Sequence, residues 1–186
     1  VADRLQELFN TMRADYEAKW DDLKIFIEYG ILTDEKFSEK AQEELKVFER
    51  AVHDVLDLTM TSFKNGDLNL ARQVEPLEEV IDGLSLDVKQ RHVRRLRKGK
   101  CTIELGFILS DVITNFERVS DHCSNIAVCL VQVNEDEFDT HAYLDELRQE
   151  DNKDFQSKVL ACREKYQLPP TKQERLAEKN AKLLAE

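Results

Sequence analysis

Three observations predict an all-α protein, an up-and-down helical bundle. The chain has 5 Gly and 3 Pro in 186 residues, too few for the many turns of an all-β fold. Apolar residues recur at steps of three and four, the period of helices that bury one face. The links between these stretches are short, so consecutive helices should pack antiparallel. With 38 acidic and 27 basic residues, the formal net charge is −11. That balance argues against sequence-general nucleic-acid binding, which needs Lys and Arg to displace phosphate counterions. Hydrophobic residues make up 41%, too many for a disordered chain.

Leu5, Leu8, Phe9, Met12, Tyr16, Trp20, Leu23, Phe26 and Ile27 predict a first helix ending near Tyr29, with Gly30 just past it. Thr33 or Asp34 can cap a second helix over residues 34–63, with a stripe of Ala41, Leu45, Phe48, Val52, Val55 and Leu58 or Thr59. Asn65-Gly66 closes it and Asp67 is the cap for a third helix over 68–97, in which Pro76 predicts a kink or restart. Gly99 ends that helix and Thr102 caps the fourth, over 103–133. The fourth is the least polar, with Phe107, Ile108, Val112, Phe116, Val119, Cys123, Ile126 and Leu130 assigned to a broad buried face. A fifth covers 141–166 and stops at Pro169-Pro170. Thr171-Lys172-Gln173-Glu174 is a capping box for a charged helix to the end.

Charges interrupt the longest apolar stretches well short of the roughly 18 residues of a membrane span. Val1 opens directly into a charged helical pattern, which reads as no signal peptide. Cys101, Cys123, Cys129 and Cys162 match no zinc spacing and read as reduced thiols. The expectation is a soluble, cytoplasmic chain without a membrane span.

Glu78 and Asp82 are four apart on the third helix, and Glu117 and Asp121 are four apart on the fourth. One turn separates the members of each pair, so both point the same way, beside an apolar line. If the two helices pack antiparallel, four carboxylates converge and call for hard cations such as magnesium, manganese, calcium or iron. Two solvated acidic patches are the plain alternative. Arg91, Arg94, Arg95, Arg97, Lys98 and Lys100 form one dense basic run. It reads as an anion or headgroup patch, or as charge that complements the helix C-terminus. His53, His92, His122 and His141 show no mutual ligand spacing, and there is no Gly-rich phosphate loop or nucleophile elbow. Covalent catalysis finds no support.

The run Glu117-Arg118-Val119-Ser120-Asp121-His122-Cys123-Ser124-Asn125-Ile126-Ala127 resembles the signature helix of the PhoU family, and Glu78-Glu79-Val80-Ile81-Asp82 resembles its partner motif. Residues 84–101 also resemble the cytoplasmic PhoU-like tail of bacterial sodium/phosphate cotransporters. The resemblance covers about residues 38–168. It implies a three-helix core with paired carboxylates, Glu78, Asp82, Glu117 and Asp121, that bind iron, manganese or magnesium, with Arg118 and Asn125 as further motif positions. It implies a non-catalytic role in phosphate transport or its regulation. The partners implied are the membrane portion of a transporter or its regulators, reached at the inner face of the cell membrane, or a homo-oligomer. Arg91, Arg94 and Arg95 are the candidate anion patch. A full-length PhoU carries two such bundles; this chain shows one motif pair.

Residues 19–30, Lys19-Trp20-Asp21-Asp22-Leu23-Lys24-Ile25-Phe26-Ile27-Glu28-Tyr29-Gly30, resemble a middle-domain segment of the chaperone HtpG. The chain therefore divides into an N-terminal amphipathic helix (1–37), a PhoU-like bundle (38–168) and a charged C-terminal helix (169–186). A purely structural interaction module that includes a chaperone fragment is the other function class.

Overall fold

The structure is a computed structural model that describes residues 10, 11, 14, 17, 37–135 and 152–185. The predicted first helix lies outside the described residues apart from four positions, as do His141 and the first half of the predicted fifth helix. No strand occurs among the described residues.

Helix α1 spans Glu39–Asn65. Ser38 caps it, its hydroxyl accepting from the Ala41 amide at 3.4 Å. Thr33 and Asp34, the expected caps, lie outside the described residues; Ser38 is extended at φ −60°, ψ 151°, and the helix begins after it. Gly66 closes α1 at φ 63°, a left-handed conformation that a side chain disfavours. Asp67 then caps the single turn α2, Leu68–Ala71, accepting from the Asn69 and Leu70 amides at 2.9 and 3.1 Å.

Helix α3 begins again at Val74 and runs Val74–Arg97. The predicted third helix is thus divided, and Pro76 explains where. It is the third residue of α3, a position whose amide has no intrahelical acceptor, so proline removes nothing there. Gly99, at φ 61°, lies in the turn after α3. Helix α4 spans Ile103–Glu135, and Thr102 accepts from the Leu105 amide at 3.4 Å. Helix α5 spans Lys153–Lys165, capped by the Asn152 side chain. Helix α6 spans Lys172–Ala185. Its capping box is reciprocal: the Thr171 amide donates to Glu174 at 2.6 Å and the Glu174 amide to the Thr171 hydroxyl at 3.3 Å.

Helices α1, α3 and α4 each pack against the other two, forming a three-helix core, and α5 packs on α3. Phe48, Val52 and Val55 of α1 meet Leu77, Ile81, Leu84 and Val88 of α3 and Ile113, Phe116 and Cys123 of α4 in one buried cluster. The Phe48 and Phe116 rings lie 5.3 Å apart at 51°, a tilted aromatic pair. Val119 and Ile126 are half-buried against this core. Phe107 is not: it is 70% exposed. The inward stripe of α4 is Leu105, Leu109, Val112 and Phe116. A residue two positions from Leu105 and Leu109 lies on the far side of the helix.

Candidate carboxylate site

The antiparallel crossing of α3 and α4 builds the site. Each step forward on α3 meets a step backward on α4. Ser124 donates to Glu75, Asp82 and Glu78 meet Asp121, Ser85 donates to Glu117, and His92 meets Gly106.

Glu78, Asp82 and Asp121 place carboxylate oxygens within 4.8 Å of one another. Glu78 is buried at 6% exposure, while Asp82 and Asp121 are exposed. Three hard oxygen donors from two helices form a mouth open to solvent, and that donor set suits a hard divalent cation. Glu117 sits one turn from Asp121 and turns to other partners. Lys89 Nζ donates to its two oxygens at 3.0 and 2.9 Å, and the Ser85 hydroxyl also donates to it. Three of the four sequence-predicted acids are brought together, and the fourth is neutralised by a lysine three residues past Leu86 on α3. Arg118 and Asn125 are exposed on α4, Asn125 one turn past Asp121.

The basic run divides as well. Arg91 and Arg95, one turn apart on α3, flank the buried Glu44 of α1, with Arg95 Nη1 at 2.6 Å and Arg91 Nη1 at 3.4 Å from its oxygens. Arg91 Nη1 also donates to the Pro169 carbonyl at 2.6 Å and lies near Glu174. Arg91 and Arg95 thus hold the bundle together, whereas Arg94, Arg97, Lys98 and Lys100 are exposed. A second ion cluster joins α1 to the end of α5. The Tyr166 hydroxyl and Lys165 Nζ donate to Asp54 at 2.5 and 2.8 Å. Burial pushes the Asp54 carboxyl up, but these two hydrogen bonds together with the charges of Lys165 and His53 outweigh it and hold the group below its ordinary value.

Sequence reasoning did not single out Glu44, Glu75, Ser124 or the Lys89 contact. Glu44 stands beside Leu45 on the apolar side of α1, a charged residue on an inward stripe, and that was its only local signal.

The family model for the PhoU domain matches residues 46–130, from α1 through most of α4. Residues 46–130 are a PhoU domain. The chain is also 27% identical over 95 residues to the phosphate-specific transport system accessory protein PhoU homolog 1 of Thermotoga maritima. That likeness covers 51% of this chain and 41% of the Thermotoga protein. A separate short likeness is to chaperone protein HtpG, 63% identical over 41 residues in Porphyromonas gingivalis and 60% over 43 residues in Bacteroides fragilis. These spans are 22% and 23% of this chain but 6% of each chaperone, so the chain matches only a small part of the chaperones' length. No solved structure matches the chain. The carboxylate triad lies wholly inside the PhoU domain, as do the Glu117–Lys89 pair and Arg91 and Arg95. None of the described helices is long and apolar enough to cross a membrane.

Proposed function

We propose that this chain is a non-catalytic regulatory module of phosphate transport whose PhoU domain holds a hard metal ion between α3 and α4. The observation that carries this reading is the convergence of Glu78, Asp82 and Asp121 from two helices onto one mouth. Three carboxylates at that spacing repel one another, and a divalent cation would neutralise them and cross-link the helices. Glu117 supplies a fourth carboxylate only by giving up Lys89. Manganese, magnesium or iron all suit the oxygen donors. The partner is the membrane portion of a phosphate transporter or one of its regulators, met at the cytoplasmic face.

A second reading is supported by the HtpG likeness: a structural interaction module built around a helical bundle, in which the acids are a solvated surface. Metal content separates the two. Elemental analysis of the purified chain should find manganese, magnesium or iron, and an Asp82→Asn, Asp121→Asn double variant should lose it. In the native host, deleting the gene should alter phosphate uptake between limiting and excess phosphate. Metal-free protein whose melting responds to none of the three ions, with unaltered uptake in the deletion strain, would establish the structural module instead.

A further inference from the structure

The crossing of α3 and α4 has one covered side and one open side. Its seam runs through Ser85 and His92 on α3 and through Gly106 and Glu117 on α4. The residue before each seam position turns inward: Leu84, Leu105 and Phe116 are buried, and Arg91 meets Glu44 of α1. The residue after each lies about 100° further round its helix and turns outward. Leu86, Val93, Phe107 and Arg118 are accordingly exposed.

Where α3 turns into α4, apolar and cationic side chains are exposed together. Val93, Ile103 and Phe107 are 47%, 61% and 70% exposed. Ile103 and Phe107 are one turn apart, on one face of α4. Arg97, Lys98 and Lys100 are exposed in the same turn, and their side chains make no ion pair with any described residue. Arg94 is exposed as well and lies near Glu174 of α6. Residues 93–107 hold five cations and one acid, Glu104, in a chain of net charge −11. The tip of this hairpin is thus a basic pole on an acidic molecule. Phe107 lies about 21 Å along α4 from Asp121. That exceeds the Debye length of about 10 Å at about 0.1 M salt, so the acids of the mouth are screened from whatever the tip touches.

We propose that this tip docks on an anionic lipid bilayer. Val93, Ile103 and Phe107 enter the boundary between headgroups and acyl chains, and Arg97, Lys98 and Lys100 pair with lipid phosphates. Phosphodiester headgroups over an acyl layer offer negative charge and apolar surroundings at once. The long stems of Lys and Arg lie along the apolar layer while their charges stay at headgroup level. An acidic protein would need a pocket shaped to these side chains, whereas a fluid interface admits the convex end of a hairpin, where Gly99 reverses the chain at φ 61°. Nucleic acid offers phosphates but no apolar layer for Ile103. The contact needs neither a metal in the mouth nor a transporter subunit, so its failure and the failure of the regulatory reading are separate events.

The test is co-sedimentation of the intact chain with vesicles of phosphatidylglycerol and phosphatidylethanolamine, set against vesicles of phosphatidylcholine alone. The chain should bind the anionic vesicles about tenfold or more tightly, and added salt should weaken that binding. Arg97→Gln with Lys98→Gln and Lys100→Gln should weaken it about fivefold for each charge removed. Ile103→Ser with Phe107→Ser should weaken it about tenfold or more with every charge intact. All five positions are exposed, so both variants should melt with the wild type. In Phe107→Trp, brominated acyl chains should quench fluorescence beyond the wild type, whose single tryptophan is Trp20. Equal binding to the two kinds of vesicle overturns the proposal. So does binding that survives both sets of substitutions, which would place the contact elsewhere on the chain. Weakening by the charge variant alone overturns it too, because the apolar side chains then stay out of the bilayer. No binding to either vesicle overturns it in favour of an acidic protein at the tip.

Discussion

The α3 helix has two charged ends, and they solve opposite problems. Near its start, Glu78 and Asp82 face Asp121 across the helix crossing, and like charges crowd into an open mouth. Near its end, Arg91 and Arg95 close on Glu44, a single buried acid between two cations. Both sets use the same spacing of one turn. Each neighbouring helix offers an acid, so the difference lies in the charge that α3 itself carries, negative in one case and positive in the other. Identical spacing along one helix thus yields an acidic mouth or a clasp, depending on the sign of the charges it presents to a neighbouring acid. Glu117 stands between the two, an acid of the first set already captured by Lys89.

The clasp should be the more costly to break. Glu44→Gln leaves two largely buried guanidinium groups facing each other, and denaturant unfolding should show a loss of about 3 kcal/mol. A loss below about 1 kcal/mol would mean that the Pro169 carbonyl and Glu174 suffice for Arg91, and the two ends would then be energetically alike. Next in size is Ser124→Ala, beside the mouth. Glu75 is 2% exposed and accepts a hydrogen bond from that hydroxyl, so its loss should cost about 1–3 kcal/mol.

The mouth itself should respond in the other direction. Asp82→Asn with Asp121→Asn relieves like-charge repulsion, so without metal the variant should match or exceed wild type by up to about 0.5 kcal/mol. With manganese or magnesium present, wild type should gain melting temperature by mass action and the variant should not. Equal gains in both proteins would place the ion elsewhere.

Helix capping was readable in part, at three places though not at Ser38 or Asn152. Asp67, Thr102 and the Thr171–Glu174 box act within three residues of themselves, and sequence neighbours are enough to identify them. The division at Pro76 follows from proline chemistry in the same local way. The acids of the mouth were readable in part, because two matched spacings on consecutive helices point to one crossing. What escaped depended on partners far along the chain: Glu44 meets Arg95 across 51 residues and Lys89 meets Glu117 across 28. The period of α4 was read too generously at Phe107, where an apolar residue sits two positions off the inward stripe. Spacing reports which way a side chain points, whereas pairing depends on a register that only packing determines.

The smallest expected effect is on pH dependence at the clasp end. Burial, with Arg95 behind it, lowers the pKa of His92 from 6.5, against the pull of Glu44. The unfolded chain therefore takes up this proton at a higher pH than the folded one. Stability should be fully present above pH 6.5 and decline as the pH falls toward the folded value. His92→Gln should flatten that limb of a pH–stability profile. An unchanged slope would mean that the imidazole gains its proton equally in both states.

The tight reversals at Gly66 and Gly99 bear on how fast the chain finds this arrangement. Both residues take left-handed backbone angles. Because each link turns the chain within a few residues, a helix meets its neighbour by closing a short loop, and the entropy surrendered in closure is small. Helical proteins dominated by such near-neighbour contacts assemble within about microseconds to milliseconds. The bundle should therefore refold rapidly in stopped-flow dilution. A side chain added at Gly66 or Gly99 should act mainly by straining the turn, since nothing lies within 4 Å of where a Cβ would stand at either one.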